Sequence, residues 1–298
     1  MTSSAFPEGR VAEGRATDDR GPLAGRTGFD EGFLGPVVPL PEVTTRGVES
    51  VVLPYTHFSV VLRPDRRLAA ATATAVDGTH LAEGVAPADD WRPDPRVPAD
   101  RQAGAELYRN NSLEHGRLVD LPGPVWGPAA EARSAADDLS HYPNAAPRAD
   151  VHNRARRVWE ALEDHLLGHA AVPDRRLVVL AGPVLHDADP PYRGVQVPLR
   201  FWKVAVFVRD GRLAATAYVL DQSPDLARDA DRALAGAVPG APPLLGAFRT
   251  YQVPVADVAE LTGLALGPLP AADLMPPPPA PELRWRRLEA PDETLMDI

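Results

Sequence analysis

Two apolar runs, Phe201–Val208 and Leu213–Leu220, flank the pair Asp210-Gly211, and this arrangement constrains the chain more than any other feature. A two-residue primed turn needs positive φ at both central positions, and Asp-Gly is a pair that supplies it. The flanking runs must therefore lie antiparallel, as one hairpin of a sheet. Further strand patterns read at Phe58–Leu62 and Leu68–Val76, joined by the turn Arg63-Pro64-Asp65-Arg66-Arg67. Leu113–Leu121 alternates, and Leu177–Ala181 is a short run of the fully buried kind. Helical spacing is clearest over Asn153–Gly168, where Val158, Trp159, Leu162 and Leu166 share a face and Gly168 suits the stop. Ala129–Leu139 is helix-like, and Val255–Thr262 reads as a short closing helix before Gly263. Strands before, between and after helices predict an α+β fold. No internal repeat interrupts that reading.

A chain of 298 residues with 44% hydrophobic content can bury one large core or two modest ones. It has no cysteine, which excludes disulfides, cysteine-zinc sites and thiol catalysis. Residues 1–26 are polar and aperiodic and predict a disordered tail, without the apolar run of a secretory signal. The expected setting is cytoplasmic, with no membrane partner, since no apolar run approaches the length of a bilayer span. One domain is expected over residues 27–274, followed by a Pro-rich tail, 275–298. Trp285 in that tail reads as packing back on the domain or as a docking element. The net charge of −10 argues against wholesale coating of a polyanion, but it leaves room for a small basic cleft. The cations are almost all arginine, with Lys203 the single lysine. That bias reflects either a GC-rich coding sequence or a use for bidentate phosphate contacts.

The chemistry concentrates in Leu113-Glu114-His115-Gly116-Arg117-Leu118-Val119. On a strand, residues two apart share a face, so His115 and Arg117 should look into the same cleft. Histidine titrates near neutrality and is a natural general base, whereas arginine stays protonated and suits phosphate. Arg148, Arg154, Arg156 and Arg157 surround the start of the strongest helix, where free N–H groups also favour phosphate. They read equally as a solvated face paired with Asp150, Glu160 and Asp164. Glu163 lies ten residues beyond Asn153, close to three helical turns, and so returns to its face. By itself that pair reads as a helix cap and a solvated acid. Asp137, Asp138 and His141 read as an exposed helix end rather than a metal cluster.

A set of ordered segments resembles the non-specific DNA/RNA endonucleases of the ββα-metal type. They include Phe29-Asp30-Glu31-Gly32-Phe33-Leu34-Gly35, Tyr55-Thr56-His57-Phe58 and Trp91-Arg92-Pro93-Asp94-Pro95-Arg96. After the central motif come Val125-Trp126-Gly127, Asn144-Ala145-Ala146-Pro147, Asn153, Gly182-Pro183-Val184, Phe201-Trp202-Lys203 and Ala217-Tyr218-Val219-Leu220-Asp221-Gln222. The resemblance spans about residues 27–272.

It implies a ββα-metal nuclease fold, a central antiparallel sheet flanked by helices, acting on DNA or RNA with little sequence preference. It further implies Asn153 as the one direct protein ligand of Mg²⁺ or Mn²⁺, Glu163 near metal-bound water, and Asn144, Arg148, Arg154 and Arg157 near substrate. A homodimer is a further partner it allows. The family pattern at the centre is Asp-Arg-Gly-His, and here the order is Glu-His-Gly-Arg. The family's base position is thus Arg117, and its arginine position is His115. Two residues along a strand is roughly 6.5 Å, far beyond hydrogen-bond reach. Three readings stand open. In the first, His115 acts as base and Arg117 holds phosphate; in the second, the fold binds nucleic acid, a nucleotide or a protein without cutting. In the third, the cleft serves other chemistry on a small acidic or phosphorylated molecule.

Overall fold

The computed structural model describes residues 14–15, 21–87, 90–149, 159, 162, 164, 176–224, 242–275 and 284–289. The strands in chain order are β1 (Gly14–Arg15), β2 (Glu42–Val43), β3 (Val51–Pro54), β4 (Phe58–Arg63) and β5 (Leu68–Asp77). Next come helix α1 (Ala105–Tyr108), β6 (Leu113–Arg117), helix α2 (Ala129–Asp138) and β7 (Ala145–Ala149). Then follow β8 (Arg176–Val184), β9 (Pro191–Tyr192), β10 (Val195–Gln196), β11 (Arg200–Arg209) and β12 (Arg212–Asp221). The chain closes with β13 (Arg249–Val253), helix α3 (Val255–Thr262), β14 (Leu264–Ala265) and β15 (Arg286–Leu288).

Nine strands form one sheet in the order β1-β3-β4-β5-β8-β11-β12-β13-β15. Every pairing is antiparallel except β1 with β3. The β11–β12 hairpin is the one the Asp210-Gly211 pair predicts. Both turn residues have positive φ, 51° and 74°, and the register runs unbroken from Arg209↔Arg212 to Arg200↔Asp221. β5 and β8 are adjacent and antiparallel, starting at Asp77↔Arg176. Everything between residues 78 and 175 is thus one insertion between neighbouring strands, and that insertion carries the site.

The sheet has two buried faces, which β11 shows by alternation. Phe201, Ala205 and Phe207 belong to a core with Leu107, Leu113, Leu139, Trp159 and Leu162, which is the layer supplied by the insertion. Trp202, Val204 and Val206 belong to a second core with Val255, Val258, Leu264 and Leu266. A sheet covered on both sides has no polar face, which explains the uniform burial of β5 despite its Ala-rich sequence. α3 ends where expected: Gly263 has φ 64°, and its N–H donates to Ala259 O.

Three expectations are revised. The strand expected over Leu113–Leu121 ends at Arg117. Beyond it, Leu118 N–H donates to Asn144 O and Val119 N–H to Asn144 Oδ1, so a side chain replaces the ladder. Within the two expected tails, Gly14–Arg15 pairs with β3 and Arg286–Leu288 with β13. Trp285 does pack back: its Nε1 donates to Asp257 Oδ2 at 2.8 Å, and its ring lies 5.8 Å from that of Tyr251. Asp138 and His141 are buried, not an exposed helix end. The helix expected over Asn153–Gly168 lies outside the described residues except at Trp159, Leu162 and Asp164, which are helical. No helix among the described residues is long and apolar enough to cross a membrane.

Candidate functional site

β6 and β7 form a two-stranded antiparallel ribbon with the register Glu114↔Arg148, His115↔Pro147, Gly116↔Ala146 and Arg117↔Ala145. Asn144 fixes where it starts. This side chain is fully buried; its Oδ1 accepts from Val119 N–H at 2.9 Å, and its Nδ2 donates to Val119 O at 2.8 Å and Leu139 O at 3.0 Å. All three bonds are to backbone, so the expected substrate contact at Asn144 is replaced by a positioning role. Its amide holds the exit of β6 against the entrance of β7.

The ribbon separates its groups by face. A Cβ built on Gly116 would stand 2.1 Å from Arg148 Nε and 2.6 Å from its Cδ and Cγ. Arg148 therefore lies across the strand at Gly116, and only a residue without a side chain leaves room for it. His115 and Arg117 occupy the other alternation and meet a common neighbour. The Trp91 indole is nearly parallel to the His115 ring, at 12° and 4.8 Å between centroids. The Arg117 guanidinium carbon lies 4.9 Å from the same indole's centroid. The expected sharing of a face by His115 and Arg117 is thus seen through their common contact with Trp91.

Tyr108 and Tyr142 complete an aromatic cluster. Tyr108 lies 3.9 Å from His115 and stacks on Tyr142 at 6.2 Å and 8°. Trp91 lies 6.0 Å from Tyr142. Burial pushes both phenols up, Tyr108 far above its ordinary value. Neither offers a phenolate near neutral pH. The Tyr108 hydroxyl is buried and has no hydrogen-bond partner among the described residues.

A bracket of polar contacts holds Trp91 in place. Arg92 N–H donates to Ser140 O at 3.0 Å and Tyr142 N–H to Arg92 O at 2.9 Å. Arg92 Nε donates to His141 Nε2 at 3.2 Å, while His141 Nδ1 donates to Asp138 O at 3.0 Å. This fixes one neutral tautomer, and burial lowers the affinity of His141 for a second proton. Asp94 anchors the other side. Burial pushes its carboxyl up, but the bidentate Arg96 guanidinium and the Tyr55 hydroxyl outweigh that and hold it below the ordinary carboxylate value. Asp138 is engaged by Arg26 and by the Thr56 N–H and hydroxyl. Asp138 and His141 are therefore structural, and Asp137, whose side chain is exposed, meets Arg92 through its backbone carbonyl. Among the described residues, no group of three or more histidine and acidic side chains could hold a metal ion.

A small cavity opens between the ribbon and the sheet, lined by Arg117, Arg148, Trp159 and Lys203 among others. Lys203 is buried on β11, with its ammonium 5.3 Å from the Trp159 ring centroid. Among the described residues, the cavity-lining Arg117 Nε, Trp159 Nε1 and Trp202 Nε1 are buried without hydrogen-bond partners. Three cations and three donors without partners among the described residues line a cavity with room for about one water, so positive charge is gathered beside the ribbon. Of the residues expected at the site, His115, Arg117 and Arg148 come together on the ribbon. Asn153, Glu163, Arg154 and Arg157 lie outside the described residues, as do Asp150, Arg156 and Glu160. Asp164 is exposed. Trp91, Tyr108 and Tyr142 carry no sequence signal for this site, because positions 91, 108, 115 and 142 share no period and meet only through tertiary packing.

Residues 39–272 match the family model described as DNA/RNA non-specific endonuclease. A relative from Sinorhizobium fredii, described as uncharacterized protein y4fB, is 33% identical over an alignment of 280 residues that covers 86% of this chain. The chain spans 41% of that relative's length.

Proposed function

This chain belongs to the DNA/RNA non-specific endonuclease family, and from that membership we propose that its ribbon cleft binds and hydrolyses the phosphodiester backbone of DNA or RNA. The observation that carries the reading is the convergence of Arg117, Arg148 and Lys203 on one cavity with unanswered donors. Cations so placed bind phosphate and stabilise the charge that builds on it during displacement. In this reading Arg117 and Arg148 hold phosphate oxygens, and His115 takes the proton of the attacking water from its place beside Trp91. Asn144 sets the ribbon's geometry. The ββα-metal arrangement completes the proposal with Asn153 and Glu163. Their amide and carboxylate oxygens are hard donors of the kind Mg²⁺ or Mn²⁺ accepts. A divalent ion held by them would supply charge at a phosphoryl oxygen. Arg154 and Arg157 would extend the phosphate rim. A cytoplasmic setting and a homodimer belong to the same proposal and are measured by cell fractionation and sedimentation.

The test is cleavage of plasmid DNA and of RNA with Mg²⁺ or Mn²⁺ by the native chain, His115→Ala and Asn153→Ala. Loss of the base should lower the rate by about a hundredfold or more, and Asn153→Ala should abolish the metal response. Cleavage indifferent to His115→Ala removes that residue as the base. A second reading rests on one observation, the packing of His115 against Tyr108 at 3.9 Å and Trp91 at 4.8 Å. A ring held by its neighbours favours a nuclease-fold chain that binds without cutting. Retained oligonucleotide binding with no cleavage by the native chain selects that reading.

A further inference from the structure

Arg117 rests on Trp91 and has few polar partners among the described residues. Its Nη2 reaches Ser140 Oγ only at 3.4 Å, and among the described residues its buried Nε has no hydrogen-bond partner. The flat guanidinium instead lies against the indole, 4.9 Å from its centroid. A phosphate would offer that cation short, charge-assisted bonds, which are stronger than a long bond to a hydroxyl. Once Arg117 turns to a phosphate, the part of the indole it covered is open, while His115 keeps its place nearly parallel to the ring at 4.8 Å. Trp91 is half-buried, and the buried Tyr142 lies against it at 6.0 Å. The bracket at Arg92 keeps the ring from following the arginine.

An indole held between His115 and Tyr142, with the area under Arg117 freed beside a bound phosphate, is complementary to a nucleobase. Every base has a π-face, so such a seat tolerates any sequence. A base inside a duplex has both faces covered by its neighbours and reaches a seat only after leaving the stack. We propose that Trp91 is the stacking seat for an unpaired nucleobase adjoining the phosphate that Arg117 takes, so that the chain prefers single-stranded nucleic acid to duplex. This rests on the nucleic-acid reading above and adds its strandedness. The arginine is the seat's occupant in the absence of substrate, a planar cation where a planar base will lie.

The experiment compares binding of the full chain, in chelator, to a short oligothymidylate and to an abasic oligomer of equal length. The native chain should bind the thymidylate about tenfold more tightly. Trp91→Leu should bring the two to within about twofold, and Trp91→Phe should keep most of the gap, because a phenyl ring still stacks. The slope of affinity against salt should be the same for both oligomers, since their phosphates are the same. A merely structural role for Trp91 would weaken both oligomers equally. Equal native affinity for the two overturns the proposal, and so does a gap that survives Trp91→Leu. Binding of neither oligomer removes the nucleic-acid reading itself, an outcome distinct from equal binding of both.

Discussion

Single residues in the ribbon do different work from what their types suggest. Gly116 is required for a neighbour: a methyl group there would stand 2.1 Å from Arg148 Nε. Gly116→Ala should expel Arg148, weaken oligonucleotide binding and reduce the salt slope by about one phosphate contact, with little change in melting temperature. Arg148→Ala should match it, and a normal salt slope in Gly116→Ala would count against this coupling. Asn144 bonds three backbone groups, so Asn144→Ala should cost about 3 kcal/mol of unfolding free energy, read from a denaturant midpoint. His141 gives a pH signature. Burial lowers its pKa in the folded chain below the ordinary histidine value of about 6.5. Above about 6.5 both states are neutral there and its contribution is complete. As pH falls through that value the unfolded chain takes up a proton that the folded chain refuses, and stability declines. His141→Gln should remove that portion of the acid sensitivity in urea titrations on either side of the transition. Sequence showed that His115 and Arg117 share a face, because strand alternation is local. It did not show Trp91, because residue 91 reaches the pair only through the bracket built by Ser140, His141 and Tyr142.

Among elements, those specified by local chemistry were the legible ones. Asp210-Gly211 sets the β11–β12 turn by backbone angle alone, and Gly263 stops α3 in the same way. β6 stops four residues earlier than its alternation suggests, because Asn144, distant in sequence, takes over the hydrogen bonds that a ladder would make. β15 was hidden for a related reason: a three-residue edge strand after a proline run carries little pattern of its own. Its partners are nevertheless specific. Thr250↔Leu288 and Gln252↔Arg286 fix its register, while Trp285 and Arg284 both meet Asp257 on α3. Truncation before residue 284 should uncover the edge of β13, lower the melting temperature by several degrees and promote self-association visible by light scattering. An unchanged melting temperature would show that the strand adds nothing to the sheet.

At the scale of the molecule, the sheet is a partition. One face supports the inserted layer with the ribbon, the other packs α3 and the β2–β14 pair, and the two cores share only the strands between them. Val258→Ala on α3 should therefore cost about 2 kcal/mol of stability while leaving oligonucleotide affinity at temperatures below unfolding unchanged. A parallel loss of affinity would mean that the partition transmits strain. The net charge of −10 belongs to the whole surface, whereas Arg117, Arg148 and Lys203 act within one cavity, which is why the overall balance alone was a poor guide to the cleft. The junction at Asp77↔Arg176 has a consequence in time. The hairpins β3–β4–β5 and β11–β12 join neighbours in sequence and can form early. The seam between β5 and β8 must close a loop of about one hundred residues, an entropy cost of roughly 4 kcal/mol at room temperature. Folding should be gated at that seam, so that the halves of the sheet form first and the cleft layer acquires its shape only when they join.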